Sequence, residues 1–223
     1  MMEVLKIFTN KKDGNLAYHV NDKKCNVDRN REALKKYGFT INNLRYMNQV
    51  HKNRVICVSK NSLKLIDECD ALITSEKNLP LMVMVADCIP ILLYDEVSEV
   101  IAAIHAGRNS TFLNISKITA QKMIKEFNCQ PKNIKAILGP SIQKCCYEVS
   151  QELANIVKTS FGEEFVNNRN IDLQGINKKQ LKELGITNIE VSNHCTKCTD
   201  DKYFSYRLIS DTGRFAGVIE LKE

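Results

Sequence analysis

A thiol and an imidazole stand at the ends of two apolar runs in the segment MVMVADCIPILLYDEVSEVIAAIHAG, residues 82–107. Cys88 follows the first run, and His105 closes a later one. The short polar stretch DEVSE before the last run fits a hairpin turn. If residues 95–98 form the loop, Cys88 lies directly opposite His105 on one sheet face, with Cβ atoms about 4.5–5.5 Å apart. The spacing therefore predicts that the two side chains meet.

Three interpretations suit such a pair of side chains. A thiolate and a neutral imidazole can share a metal ion at about 2.0–2.3 Å from each ligand atom. They can also form a nucleophile–base dyad, in which the imidazole lowers the pKa of the thiol. The third interpretation is a small buried thiol beside a hydrogen-bonded histidine. These two residues alone leave the choice open.

His51 adds a third candidate ligand. It lies in NQVHKNRVICV just before another strand-like run and follows the amide side chains of Asn48 and Gln49. Two histidines and one cysteine leave a coordination position open, the arrangement expected of a catalytic zinc site. Asp87, next to Cys88, would act as a general acid or base or would orient a ligand. A carboxylate that caps a turn is the alternative for Asp87.

A second cysteine motif, HCTKC, covers residues 194–198. Its CxxC spacing with a histidine is compatible with metal binding. Because no second CxxC follows at a zinc-finger distance, a closed zinc knuckle is disfavoured, and a structural role for Cys195 is the preferred interpretation.

Length and composition favour one ordinary globular domain over residues 1–223. The net charge of +6 comes from scattered lysines, so nucleic-acid binding is disfavoured. The apolar stretches are too short to span a bilayer, and no signal peptide is evident. The odd count of nine cysteines is interpreted as reduced thiols of a cytoplasmic protein.

Short strand-like runs dominate the chain, with a few amphipathic helices between them. The runs are EVLKIF, NLAYHV, RVICVS, DALITS, LPLMVMVA, IPILLY, EVIAAIHA, IKAILG, IEVSN, YFSYRL and FAGVIEL. Several are apolar without a break, as expected for strands that are covered on both faces. Helices are predicted over residues 29–37 and 114–127, from an N-cap at Ser150, and over 177–184 with the first residue as cap. Strands without strict helix alternation predict an α+β fold.

Six groups of motifs occur in order along most of the chain. They are NQVH (48–51), DALIT (70–74), ADCIP (86–90), IHAG (104–107), LGPSI with CCYEV (138–149), and CT, FSYR and TGR (195–214). Together they resemble the laccase-domain family, first called multicopper polyphenol oxidoreductases and now understood as purine nucleoside phosphorylases with adenosine deaminase activity. Each motif is short, but their shared order is specific.

The resemblance implies a zinc site made by His51, Cys88 and His105, in agreement with the hairpin argument. It also implies a single-domain layered α/β/β/α sandwich with mixed, largely buried sheets. The implied substrates are purine nucleosides and phosphate, with phosphorolysis of adenosine, inosine, guanosine and methylthioadenosine and hydrolytic deamination of adenosine. The chain departs from the family's HAGWRG, which reads HAGRNS here. Substrate preference therefore does not follow from the family.

Phosphorolysis needs an anion site, and a planar guanidinium can bind two phosphate oxygens at once. Arg207 in FSYR and Arg108 after the last ligand are the predicted phosphate contacts, with a salt bridge as the alternative for each. Asn48 and Gln49 are the other predicted substrate-binding residues. Deamination needs a hydroxide, which zinc makes available by lowering the pKa of bound water to about 7. The predicted catalytic residues are Cys88, which both reactions share, and Asp87, which would carry protons.

Other functions fit parts of the same pattern. Four histidines are too few for a multicopper oxidase. A single copper ion on two histidines and a cysteine is compatible with the same ligands, and copper ranks behind zinc. A cysteine hydrolase that uses Cys88 and His105 is the main enzymatic alternative. A binding module stapled by a metal is the non-enzymatic one. The oligomeric state is not specified by the sequence.

Overall fold

The computed structural model describes residues 3–223, so the first two residues of the predicted 1–223 domain lie outside the described part. Within this range, the regular structure consists of thirteen β-strands and five α-helices. The strands are β1 (Glu3–Phe8), β2 (Arg45–Met47), β3 (Val55–Cys57), β4 (Leu65–Ile66), β5 (Ala71–Thr74), β6 (Leu81–Val85), β7 (Ile89–Asp95), β8 (Val100–Ala106), β9 (Lys135–Leu138), β10 (Val166–Asn167), β11 (Asn170–Ile171), β12 (Asn188–Val191) and β13 (Phe215–Lys222). The α-helices are α1 (Lys24–Glu32), α2 (Arg108–Phe112), α3 (Ile115–Phe127), α4 (Gln151–Ser160) and α5 (Leu173–Lys182).

Most of the strands form two mixed sheets. One has the order β1-β13-β6-β2-β4 and the other β12-β9-β7-β8-β5-β3, while β10 and β11 form a separate pair. Both sheets combine parallel and antiparallel neighbours, such as β2 with β6 and β13 with β6 in the first. Every residue of β7 and of β8 is buried. This confirms that the unbroken apolar runs are strands covered on both faces.

The alternation of side chains along the central strands defines four layers. Leu92 of β7 packs between the sheets, in one cluster with Phe215 of β13. Its neighbour Ile91 faces the other way and packs with Met123 of α3. On the outer face of the five-stranded sheet, Leu34, just after α1, closes a further apolar cluster. The predicted α+β class and the layered α/β/β/α sandwich are therefore confirmed.

The hairpin of β7 and β8 has the predicted loop length but a different register. His105 pairs with Pro90, not with Cys88, so the predicted opposition of the two side chains is wrong by two residues. The cause lies in the turn, where Asp95 extends β7 and its carboxylate accepts two backbone N–H groups of the loop over 96–99. A shift of two residues preserves the side-chain face. Both side chains therefore still point between the sheets.

The helix predictions hold best where a cap is readable in the sequence. α3 matches its predicted span, and α4 begins after Ser150, whose hydroxyl accepts a backbone N–H as an N-cap. The helix predicted over 29–37 is α-helical only to Glu32 and continues as a 3₁₀ turn. The predicted cap at Asn177 is wrong, because α5 begins earlier, after the cap Asp172. The Asn177 amide is buried within the helix and hydrogen-bonds to α2 and α3.

Two predicted strands, NLAYHV and YFSYRL, are irregular segments instead. In the first, the Asn15 side chain accepts the backbone N–H of Ala17 and so satisfies it locally. In the second, the backbone N–H of Arg207 donates to the side chain of Asp87. The short strands β2, β4, β10 and β11 were not predicted. Within residues 3–223, no helix has the length and apolar character needed to cross a membrane.

Candidate metal centre

The three predicted metal ligands lie together at one end of the space between the sheets. His51 Nε2 lies 3.9 Å from Cys88 Sγ. The His51 and His105 rings meet edge to face, with centroids 4.6 Å apart. One ligand atom from each of the three side chains falls within 4.8 Å of the others. Two imidazoles and a thiolate at this spacing match the donor set of a tetrahedral zinc site with one open position.

Each ligand comes from a different structural element. Cys88 immediately precedes β7, and His105 is the penultimate residue of β8. His51 belongs to the loop after β2 and has a left-handed backbone with φ of 57°. A non-glycine residue holds this conformation only where its surroundings fix it. The rigid hairpin thus supplies two ligands, and a constrained loop brings the third.

Gly107 leaves the space that the three ligands need. A Cβ atom at this position would lie 2.9 Å from His51 Cδ2, 3.1 Å from Cys88 Sγ and 3.6 Å from His105 Nε2. Its φ of −75° is accessible to any residue, so the requirement for glycine is steric. The centre is therefore a small gap between three donors that a single methyl group would fill, and these residues fit a bound metal ion.

Asp70 orients two of the ligands and was not identified from the sequence as a site residue. Its carboxylate is fully buried and accepts from His105 Nδ1 at 2.8 Å and from the backbone N–H of His51 at 2.9 Å. It also accepts the backbone N–H of Lys52 at 2.8 Å. The bond to Nδ1 leaves Nε2 of His105 free to face Cys88. The available signal was its place in DALIT, where a charged residue directly precedes a strand-like run.

The opposite charges within the centre stabilise one another. Burial alone would raise the pKa of the Cys88 thiol, but the His105 and His51 rings lower it to about 6. Burial would lower the pKa of His105, but the Cys88 thiolate and the Asp70 carboxylate raise it to about 9. Despite its own burial, the pKa of Asp70 lies below its ordinary value because His105 and backbone N–H groups donate to it. The donor set is thus prepared to hold a thiolate.

The centre opens into a cavity of about 640 Å³. Pockets of about 300–1,000 Å³ suit small organic ligands. Its walls combine aromatic, amide and cationic side chains with the ligands. Those walls include His19, Met47, Asn48, Gln49, Met84, Asp87, Tyr147, Tyr206, Arg207 and Arg214. His19, Tyr147 and Arg214 were not among the predicted site residues, although the motifs CCYEV and TGR contain the last two.

The predicted polar residues beside the ligands already have partners within the protein. Both oxygens of Asp87 are used: one accepts from Thr196 Oγ1 at 2.6 Å and the other from the backbone N–H of Arg207 at 2.7 Å. The Gln49 amide both donates to and accepts from the backbone of Met84. The Asn48 amide donates to the exposed side chain of Asp67. Substrate or proton-transfer roles for these residues stay predictions.

The two predicted phosphate contacts occupy different positions. Arg207 lines the main cavity, donates to the backbone carbonyl of Glu148 at 3.0 Å and lies 5.0 Å from the centre of the Tyr147 ring. Arg108 is exposed and lies outside this cavity, in an adjoining shallow depression that Arg169 and Arg207 also line. Only Arg207 is thus shared by the cavity and by the cationic depression next to it.

Comparisons with known proteins show the family of this chain. The family model described as multi-copper polyphenol oxidoreductase laccase matches residues 9–222. A purine nucleoside phosphorylase of Campylobacter jejuni is 36% identical over 208 residues, covering 91% of this chain and 90% of the relative. One of Corynebacterium glutamicum is 33% identical over 98% of this chain and 94% of its own.

Solved structures show the same architecture. The hypothetical protein YfiH of Bacillus licheniformis superposes with a TM-score of 0.91 at 27% identity, covering 98% of this chain and 93% of the other. A protein of Neisseria meningitidis superposes at 0.85 and 28% identity, covering 99% and 95%. The chain belongs to the multi-copper polyphenol oxidoreductase laccase family.

Proposed function

We propose that this protein is a zinc-dependent purine nucleoside phosphorylase that also deaminates adenosine, with the whole chain as one catalytic domain in the cytoplasm. The observation that carries the proposal is a centre of two histidines and one cysteine at the base of a cavity that suits a small ligand and is lined by Arg207. Relatives named purine nucleoside phosphorylase cover nearly the whole chain. The proposed substrates are adenosine, inosine, guanosine and methylthioadenosine, each with phosphate.

In phosphorolysis, an oxygen of phosphate attacks the anomeric carbon of the ribose while the bond to the purine nitrogen breaks. The Arg207 guanidinium would hold the phosphate dianion, since charge-assisted hydrogen bonds to planar guanidinium groups are strong. Arg108 would add positive charge from the neighbouring depression. Tyr147, whose ring also lies beside Arg207, offers an aromatic wall for the purine or the ribose.

The proposed roles of the remaining side chains concern protons and orientation. Asp87 would deliver or remove a proton at the purine, from a position fixed by its bonds to Thr196 and Arg207. Asn48 and Gln49 would contact the base or the ribose at the cavity wall. When bound by His51, Cys88 and His105, zinc would supply Lewis acidity and lower the pKa of water at the site. Copper would satisfy the same donors and ranks second.

Two experiments on the purified protein test this function. Zinc-loaded protein is incubated with adenosine and, in parallel, with each of the other three nucleosides, with and without phosphate, and the products are separated by chromatography. Adenine that appears only with phosphate reports phosphorolysis, and inosine reports deamination. Failure to convert any of the four nucleosides, with zinc present in stoichiometric amount, would refute the proposal and favour a metal-stapled binding module.

The cysteine hydrolase alternative has one observation in its favour, the lowered pKa of the Cys88 thiol. A dyad would need a thiolate that reacts in the active protein, whereas a thiolate held by zinc is protected. Turnover of nucleosides that stops on chelation and returns with zinc would therefore exclude the dyad. Oxidation of a polyphenol that depends on copper would instead support the oxidase alternative.

A further inference from the structure

We propose a second metal site in this chain, a structural zinc ion held by Cys145, Cys146, Cys195 and Cys198. The four sulfur atoms lie within 4.8 Å of one another, and Cys145 Sγ is 3.6 Å from Cys198 Sγ. None of the four takes part in the centre described above. The ligand class is a single borderline or soft divalent cation, for which four thiolates are the usual structural donor set.

The sulfur spacing matches one tetrahedral ion. Four sulfurs at about 2.3 Å from a central zinc lie about 3.8 Å apart along each edge of the tetrahedron. The 3.6 Å separation of Cys145 and Cys198 is close to that edge, and the upper limit of 4.8 Å requires small side-chain adjustments only. An iron–sulfur cluster needs its thiolates further apart because several metal atoms lie between them. One ion therefore fits the cluster better than a polynuclear centre.

The fold brings the two cysteine pairs together through a short backbone pairing. Ser141 pairs with Cys195 as an isolated parallel bridge, and the backbone N–H of Thr196 donates to the Ser141 carbonyl at 3.0 Å. A turn then places the adjacent pair, with the Cys146 N–H donating to the Gln143 carbonyl at 2.8 Å. The two pairs are remote in sequence, so no zinc-finger spacing marks them. The predicted motif HCTKC supplies half of the ligands, without its histidine.

The surroundings of the cluster suit a group with excess negative charge. Lys197 lies between the CxxC cysteines, and Lys144 immediately precedes the adjacent pair. Four thiolates around a divalent ion carry two net negative charges, which these lysines would partly balance.

The proposed ion would fasten the segment that carries Arg207 to the six-stranded sheet. This segment runs from Cys195 to β13 without helix or strand, and Asp87 is bonded to it at Thr196 and Arg207. Few backbone pairings hold such a segment, so a cross-link at its start limits its motion. The proposed zinc ion is therefore structural, and it differs from the ion of the catalytic centre in its ligands and in its role.

Zinc stoichiometry tests the proposal. We expect two zinc ions per wild-type chain, one in Cys198→Ser, one in Cys88→Ala and two in the control Cys25→Ser, whose thiol is exposed and lies outside both clusters. If the catalytic centre fails to bind zinc, the wild type would hold one ion and Cys198→Ser none. Equal zinc content in the wild type and Cys198→Ser would overturn the second site.

A spectroscopic measurement keeps the test independent of how well a cluster variant folds. X-ray absorption at the zinc edge of Cys88→Ala, in which the proposed cluster is intact, should show four sulfur neighbours at about 2.3 Å. A first shell dominated by nitrogen and oxygen would contradict the proposal. So would a disulfide between Cys145 and Cys198 in wild-type protein isolated under reducing conditions, because a disulfide removes both thiolates from the ligand set.

Discussion

Replacing Asp70 with asparagine tests whether the buried carboxylate prepares the metal centre. The carboxylate accepts from His105 Nδ1 on one oxygen and from the Lys52 N–H on the other, and the His51 N–H shares the first oxygen. An amide has only one oxygen. One orientation of the amide places its NH₂ group against the Lys52 N–H. The other favours the His105 tautomer with the proton on Nε2, the nitrogen that should bind the metal.

The expected losses of zinc affinity and of folding free energy follow from these contacts. Loss of a partner that orients a metal ligand costs about 10–100-fold in metal affinity, or about 1.4–2.7 kcal/mol. A buried donor left without an acceptor costs about 1–3 kcal/mol of folding free energy. In a chain of 223 residues, each kcal/mol lowers the melting temperature by roughly 2–4 °C. Asp70→Asn should therefore weaken zinc binding and destabilise the metal-free protein together.

The assay is a competition titration of zinc against a chromophoric chelator, with thermal unfolding of the same samples after chelation. The control is Asp67→Asn, which removes the same charge three residues before Asp70. The Asp67 carboxylate accepts from the Asn48 amide and from the Glu68 N–H, both outside the centre. We expect the control to bind zinc like the wild type. Unchanged zinc affinity in Asp70→Asn would refute the reasoning. An equal loss in both variants would refute it too, since net charge would then be the cause.

Further predictions concern the centre and its cavity. Gly107→Ala should lower zinc affinity by about tenfold or more, the scale of a disturbed ligand, because its methyl group would lie 2.9 Å from His51 Cδ2; the same competition titration measures it. Cys88→Ala should abolish phosphorolysis and deamination together, and retention of either without metal would contradict a shared site. Iodoacetamide should modify Cys88 quickly after chelation and slowly in zinc-loaded protein, as peptide mass spectrometry can follow. Arg207→Gln should raise the KM for phosphate by about 10–100-fold, since a hydrogen bond to a charged group contributes about 1.5–3 kcal/mol, whereas Arg169→Gln, at the outer depression only, should change it little.

The sequence predicted the layers of this fold because burial on both faces leaves a simple pattern. β7 and β8 are buried throughout, and the readable N-cap Ser150 locates the start of α4. Segments whose backbone is satisfied by side chains escape such reasoning. Asn15 and Asp87 each accept a backbone N–H from a run that looks like a strand in composition. Hydrophobic periodicity reveals neither a local side-chain bond, as between Asn15 and Ala17, nor a bond between residues as remote as Asp87 and Arg207.

The proximity of Cys88 and His105 was predictable for a related reason. A hairpin carries two residues to the same face whenever the register error is even, so Cys88 and His105 were correctly joined through a register that was wrong. Asp70 was missed because nothing in its local pattern distinguishes a carboxylate that begins a strand from one that caps a turn. Its role depends on two backbone donors in a different loop and on the His105 ring of β8, the strand that pairs with β5.

Asp70 and Asp87 each hold in place an irregular segment that carries a residue of the proposed site. Each adjoins a strand of the six-stranded sheet and accepts backbone N–H groups from a segment without regular structure, Asp70 from the loop of His51 and Asp87 from that of Arg207. A site assembled from loops is accurate only if the loops are locked to rigid elements. Asp87→Asn would therefore change the position of Arg207 as well as any proton transfer. A larger effect on the KM for phosphate than on kcat, with an unchanged pH profile, would assign Asp87 to positioning and remove it from the catalytic residues proposed above.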